Sequence, residues 1–340
     1  MLNTVYRLVA PRSFEPVVTS LDTTGKVVVR PTHLSICNAD QRYYQGTRSK
    51  EVLDKKLPMA LIHEGIGRVV SDDSGLFSSG DCVVMLPNAP VENDLNIAEN
   101  YLRSSRFCGS GFDGFMQESV VLPPERVVLL PQDINREVAA FTELVSVATH
   151  AISRFEAIAH EGRARIGVWG DGNMGFIVSL LLYLLLPSSD IIVFGRNEFK
   201  LNDFTFVKET HLVDDIVDVD LVDHAFECCG GEGSERAIDQ IIDLINPEGT
   251  VSLLGVSENR VPINTRMVLE KGLRLFGSSR SGRADFERTV GLYRAHPEML
   301  DYLGALVDSV NSVERIADIS AVFERDIRKP MGKTVMTWNI

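Results

Sequence analysis

Two rhythms of apolar residues divide this chain. From its start to about residue 135 the apolar positions come in short β-branched runs, KVVVRP, GIGRVV, DCVVML and ESVVLP, broken by Gly-Asp, Pro-Asn and Pro-Pro pairs. Such runs predict short strands with irregular connections. Residues 137 to 159 switch to helical spacing, with apolar positions from Val138 to Ile158. A βαβ rhythm follows. RIGVWG reads as a strand, NMGFIVSLLLYLLL as a helix, DIIVFG and DHAFECCG as strands, GSERAIDQIIDLI as a helix and GTVSLLGV as a strand, with LRLFGSS closing the run. From about Asp285 helices return, and GKTVMTW is a last strand. No internal repeat or low-complexity segment interrupts the pattern.

The expected fold class is therefore α/β. A β-rich domain spans residues 1–145 and 277–340, and a doubly wound parallel-sheet domain at 146–276 is inserted into it. The most apolar run, residues 174 to 187, falls short of the roughly 20 residues a membrane span needs and ends at Pro187. It reads as a buried helix.

Composition narrows the function. The 340 residues carry a net charge of −13, which argues against nucleic acid or an anionic membrane as the main partner. Five scattered cysteines, Cys37, Cys82, Cys108, Cys228 and Cys229, do not form a disulfide framework. The opening residues show no basic-then-apolar signal pattern. A cytoplasmic location is expected.

Gly170, Gly172 and Gly175 in VWGDGNMGF follow a predicted strand and open a predicted helix. In a dinucleotide turn one such glycine makes the bend, one admits the pyrophosphate, and one lets helix and strand pack closely. The helix start at Asn173 and Met174 would turn free N–H groups towards phosphate. The next strand ends at Gly195, where an NAD site usually carries Asp or Glu. Here Gly195 leaves room for a 2′-phosphate, Arg196 can pair with it bidentately, and Lys200 is nearby. The expected cofactor is NADPH. The competing reading leaves Arg196 as a solvated loop residue beside Glu198.

Four potential metal ligands precede that turn: Cys37 in SICNADQRYYQG, His63 and Glu64 in LIHEGIGRVV, and Glu143 in FTELVSVATHAI. Alone, each has a commonplace reading: a small buried thiol, a hydrogen-bonded core histidine, a solvated helix carboxylate. As a set, thiolate, imidazole and carboxylates suit a zinc ion acting as a Lewis acid. Zinc and a nicotinamide cofactor together predict hydride transfer at a carbon–oxygen bond.

These words resemble the zinc-dependent medium-chain dehydrogenase/reductase family. SICNAD is similar to its G-I-C-G-S-D motif and HEGIGRVV to its H-E-x-x-G-x-V motif. ELVSVATHA is similar to the E-P-L-S-V-x-x-H-A segment of its sorbitol-dehydrogenase-type members. VWGDGNMG resembles its glycine loop, and the matches keep the family's order. The resemblance implies a GroES-like catalytic domain and a Rossmann domain. It implies Cys37, His63 and Glu64 as zinc ligands, and Glu143 as either a fourth ligand or a partner through water. Two departures stand out. The proton-relaying serine or threonine falls at Ala39, so Glu64, Glu143, a metal-bound water or Tyr43 must take over. The lobe that holds a second, structural zinc in many relatives keeps only Cys108, so one catalytic zinc and no structural zinc is expected.

VYRLVAPRSFEP, LPMALIHEG, GSGFDGFMQE, DHAFECCGG and VLEKGLRLFGSSRSG further resemble the ribulose-5-phosphate reductases of teichoic-acid and capsule synthesis. That family makes D-ribitol 5-phosphate with NADPH beside a cytidylyltransferase. The substrate implied is a phosphorylated ketose. Its phosphate would need a local basic cluster in this acidic chain. Arg42, Arg48 and Lys50 supply one and Arg103 with Arg106 another. An NAD-dependent polyol dehydrogenase and a non-catalytic NADPH-binding protein are the competing readings. A homodimer is expected, with VSLLGV and LRLFG pairing across a two-fold axis.

Overall fold

The computed structural model describes all 340 residues. They form two compact units, Met1–Ser146 with Ser281–Ile340, and Val147–Arg280.

The first unit is built on two β-sheets. A hairpin of Leu2–Ala10 and Ser13–Ser20 carries the two-residue strand Met59–Ala60. The larger sheet runs Val127–Leu129, Cys82–Met85, Glu64–Asp72, Val27–Ser35, Lys333–Trp338 and Val307–Val313, with Val120–Leu122 also on Val27–Ser35. Two registers in it matter for chemistry. Ser35 lies opposite Glu64, and Ser35 also lies opposite Val335. They bring the residues after Val27–Ser35 and the start of Lys333–Trp338 to Glu64. Gly65 and Gly67 permit this closeness, because a Cβ would stand 2.6 Å from Leu34 Cδ2 in one case and 2.4 Å from the Arg30 carbonyl in the other.

This unit departs from the expectation of strands and irregular loops alone. Two seven-residue helices, Asn38–Tyr44 and Lys50–Lys56, follow the first long strand. Each spans less than two turns plus a cap, too short to show a hydrophobic period. What starts them is capping. Cys37 and Asp40 form a capping box, and the Ser49 hydroxyl accepts from the Val52 N–H.

The second unit is a six-stranded parallel sheet in the order Glu209–Leu212, Asp190–Gly195, Arg165–Trp169, Val222–Glu227, Ile245–Leu253 and Arg274–Gly277. The apolar run at 174–187 forms the helix Asn173–Leu185, buried from Gly175 to Leu182. No helix is long and apolar enough to cross a membrane. The polar strand Glu209–Leu212 escapes the hydrophobic pattern because it is a partly exposed edge. The expected two-fold pairing needs correction. Ile245–Leu253 has a neighbour on both sides, so VSLLGV offers no open edge, and of the two segments LRLFG alone lies at an edge, in Arg274–Gly277.

Candidate active site

The first unit gathers Cys37, His63 and Glu64, whose ligand atoms all lie within 4.8 Å of one another. Asp40, which sequence reading passed over, sets this up. Its Oδ2 accepts from the Cys37 N–H at 3.0 Å, its Oδ1 accepts from the Ile62 N–H at 3.0 Å, and Oδ1 stands 3.6 Å from His63 Nδ1. Ile62 holds φ 70°, a costly conformation for a β-branched residue. Its carbonyl accepts from the Phe115 N–H at 2.7 Å, and a Cβ on Gly114 would come within 2.3 Å of that oxygen. The turn that aims His63 is thus held from both sides. The His63 ring also packs against Phe107, with centroids 5.4 Å apart.

Glu64 is paired. Lys333 Nζ lies 2.9 Å from its Oε1 and donates to the Ile36 carbonyl at 2.9 Å, all out of solvent. Burial opposes a charge on Lys333, but Glu64 and Cys37 outweigh it and raise its pKa. The same contest decides His63. Burial works against its charged form, and Asp40 and Cys37 overcome burial and hold its pKa well above the ordinary range. Asp40 and Cys37 thus place negative charge around His63. The soft thiolate, imidazole and carboxylate gathered here are a donor set that zinc takes. The residues fit the ion.

Glu143 stands outside this group. It is buried in the first turn of Thr142–Ile158, and burial pushes its carboxyl up to about 7. Cys108, alone in its lobe, is a free thiol that burial raises to about 12.

In the second unit a cavity of about 560 Å³ is lined by Gly170, Asp171, Gly172, Gly195 and Arg196 among others. Gly170 holds φ 138°, a Cβ on Gly175 would fall 1.9 Å from the Gly170 carbonyl, and a Cβ on Gly172 would meet nothing. So two of the glycines are demanded by packing, while the third leaves open the space a pyrophosphate needs. Asn173 and Met174 begin the helix there. Asp171, unremarked in the sequence, accepts from the Arg196 and Asn197 N–H groups at 2.7 and 2.8 Å. Glu227 likewise accepts from the N–H groups of Cys229, Gly230 and Gly255. The space at Gly195 is not vacant, because a Cβ there would lie 2.7 Å from Asp171 Cβ. Arg196 borders the cavity and Lys200 does not.

In the basic stretch after Cys37, Arg48 and Lys50 line one cavity together with Gly46, Leu53 and Asp54. Lys50 is exposed and pairs with Asp54 at 2.5 Å. The Arg48 guanidinium lies 5.1 Å from the centre of the Tyr43 ring. Arg42 sits in the last turn of Asn38–Tyr44. In the other cluster, Arg106 lies over the Phe112 ring and Arg103 is exposed. The buried Tyr43 hydroxyl accepts from Lys56, which sequence reading did not single out.

Comparison with known proteins gives concordant results. The alcohol dehydrogenase GroES-like domain pattern matches residues 23–132, and the zinc-binding dehydrogenase pattern matches residues 191–294. The chain is 57% identical to a ribulose-5-phosphate reductase of Bacillus spizizenii over 100% of both chains. It is 51% identical to ribulose-5-phosphate reductase 1 of Staphylococcus aureus over 99% of each. A crystal structure of S. aureus TarJ in complex with NADPH matches with a TM-score of 0.90 and 46% identity, covering 100% of both chains.

Proposed function

Because the chain belongs to the zinc-dependent medium-chain dehydrogenase/reductase family, we propose that it reduces D-ribulose 5-phosphate to D-ribitol 5-phosphate with NADPH. The observation that carries this is full-length identity of 57% to a ribulose-5-phosphate reductase. The convergence of Cys37, His63 and Glu64 supports it.

Bound zinc would polarise the ketone oxygen and stabilise charge developing on it, while NADPH is the source of hydride. Cys37, His63 and Glu64 would hold the metal. Asp40 fixes the chain at Cys37 and at Ile62, so the ligands are oriented beforehand. Glu143, outside the ligand group, is the carboxyl suited to hold a proton for the product hydroxyl, the task Ala39 cannot perform. Gly170, Gly172 and Gly175, with the N–H groups at Asn173 and Met174, would cradle the pyrophosphate. Arg196 would pair with the 2′-phosphate, its backbone fixed by Asp171.

The five free cysteines suit a reducing cytoplasm. The open edge of Arg274–Gly277 suits strand pairing with a second copy in a homodimer. The product would pass to a cytidylyltransferase making CDP-ribitol for teichoic acid or capsule. The test is product identification by phosphorus and carbon NMR after incubation with ribulose 5-phosphate and NADPH. Ribitol 5-phosphate is expected, and its absence would end the proposal.

A further inference from the structure

Lys56 is the last residue of the helix Lys50–Lys56 and is half-buried. Its ammonium donates to the Tyr43 hydroxyl at 2.9 Å and to the Ser110 hydroxyl at 2.8 Å. Both partners are neutral, although the chain is acidic, and the nearby Asp54 is taken by Lys50. Because each hydroxyl accepts from Lys56, each has its own hydrogen to donate elsewhere. Lys56 Nζ and the Arg48 guanidinium also flank one ring, at 5.6 and 5.1 Å from the Tyr43 centroid. Two cations and two hydroxyls that each keep a hydrogen to donate make a site for a tetrahedral dianion.

Its place ties it to the metal group. Tyr43 lies on the helix that begins at Cys37. Ser110 lies on the loop whose Phe107 ring packs on His63 and whose Gly109 approaches the Ile62 backbone, at 3.5 Å from a Cβ built there. A five-carbon ketose with its carbonyl at the metal would extend its phosphate ester towards such a neighbouring seat. Building on the reading of the substrate as a phosphorylated ketose, we propose that Lys56, Tyr43, Ser110 and Arg48 bind the substrate's phosphate. Tyr43 is then a phosphate donor rather than a proton relay.

The test is steady-state kinetics on the zinc-loaded enzyme with ribulose 5-phosphate and with unphosphorylated D-ribulose. Lys56→Gln should raise KM for ribulose 5-phosphate by about 10- to 150-fold, the effect of losing a charged hydrogen bond. The preference for the phosphorylated ketose should fall with it, while KM for NADPH holds. Ser110→Ala should act in the same direction, and it carries the test if Lys56→Gln does not fold. A folded Lys56→Gln with unaltered KM and preference overturns the phosphate seat alone. A wild type without preference for ribulose 5-phosphate overturns the substrate reading, and the seat with it.

Discussion

Lys333 and Glu64 form an ion pair sealed from solvent, with Nζ 2.9 Å from Oε1 and 2.7 Å from Oε2. Taking both charges out of water is costly, and their close contact offsets that cost only while both are present. Lys333→Met should therefore lower unfolding stability by about 3–5 kcal/mol. Urea titration would read this as an earlier midpoint. Adding Glu64→Gln should recover part of the loss, and a single variant as stable as wild type would contradict the pairing.

Cys37→Ala and His63→Ala should each release zinc and abolish turnover with the fold kept. A catalytic zinc typically has three protein ligands, so the loss of one is severe. Metal content by atomic emission, alongside far-UV circular dichroism, checks this. Stoichiometric zinc in either folded variant would remove that residue from the ligand set.

Cofactor preference should respond to Arg196 and not to its neighbour. Asp171 holds the backbone N–H of Arg196, so Arg196→Asp can change the side chain while the loop stays in place. It should shift preference from NADPH towards NADH, since a carboxylate repels the 2′-phosphate. Gly195→Asp, the substitution that the usual NAD pattern suggests, should instead cost binding of both cofactors, because its Cβ would lie 2.7 Å from Asp171 Cβ. The ratio of kcat/KM for the two cofactors decides both.

Acid should weaken the nucleotide-binding unit through His224. Burial, then the neighbouring His160, lowers its pKa from 6.5 to about 4. The neutral ring accepts from the Thr250 N–H through Nδ1 at 3.1 Å. Between those values the unfolded chain takes up a proton that the folded one refuses, so stability is complete above about pH 6.5 and falls as pH drops towards 4. His224→Asn should narrow the gap between melting temperatures at about pH 7 and about pH 5. An unchanged gap would mean that other groups govern acid lability.

The parts of this site that sequence shows are those whose signals are local. The glycine turn at 170–175 is legible because its strand and helix adjoin it. Cys37, His63 and Glu64 are legible as motif words, but their meeting depends on the Ser35–Glu64 register, which no local pattern encodes. Asp40 lay within reach, since its spacing from Cys37 is that of a capping box. Lys333 did not, being 269 residues from Glu64. Gly195 shows the limit of a residue-type argument. Room for a 2′-phosphate is a sensible local reading, but Asp171 occupies that space through a loop contact that only folding creates. That Lys50 pairs with Asp54 one turn along its helix and borders a cavity beside Arg48 is likewise visible only in the fold.

The most direct measurement is the rate of NADPH oxidation with ribulose 5-phosphate, beside ribulose, before and after removal of zinc by a chelator. The expected result is rapid oxidation with ribulose 5-phosphate, at least tenfold slower oxidation with ribulose, loss of activity on chelation, and return on adding zinc. Undiminished oxidation by the metal-free protein, or equal rates with the two ketoses, would contradict the account.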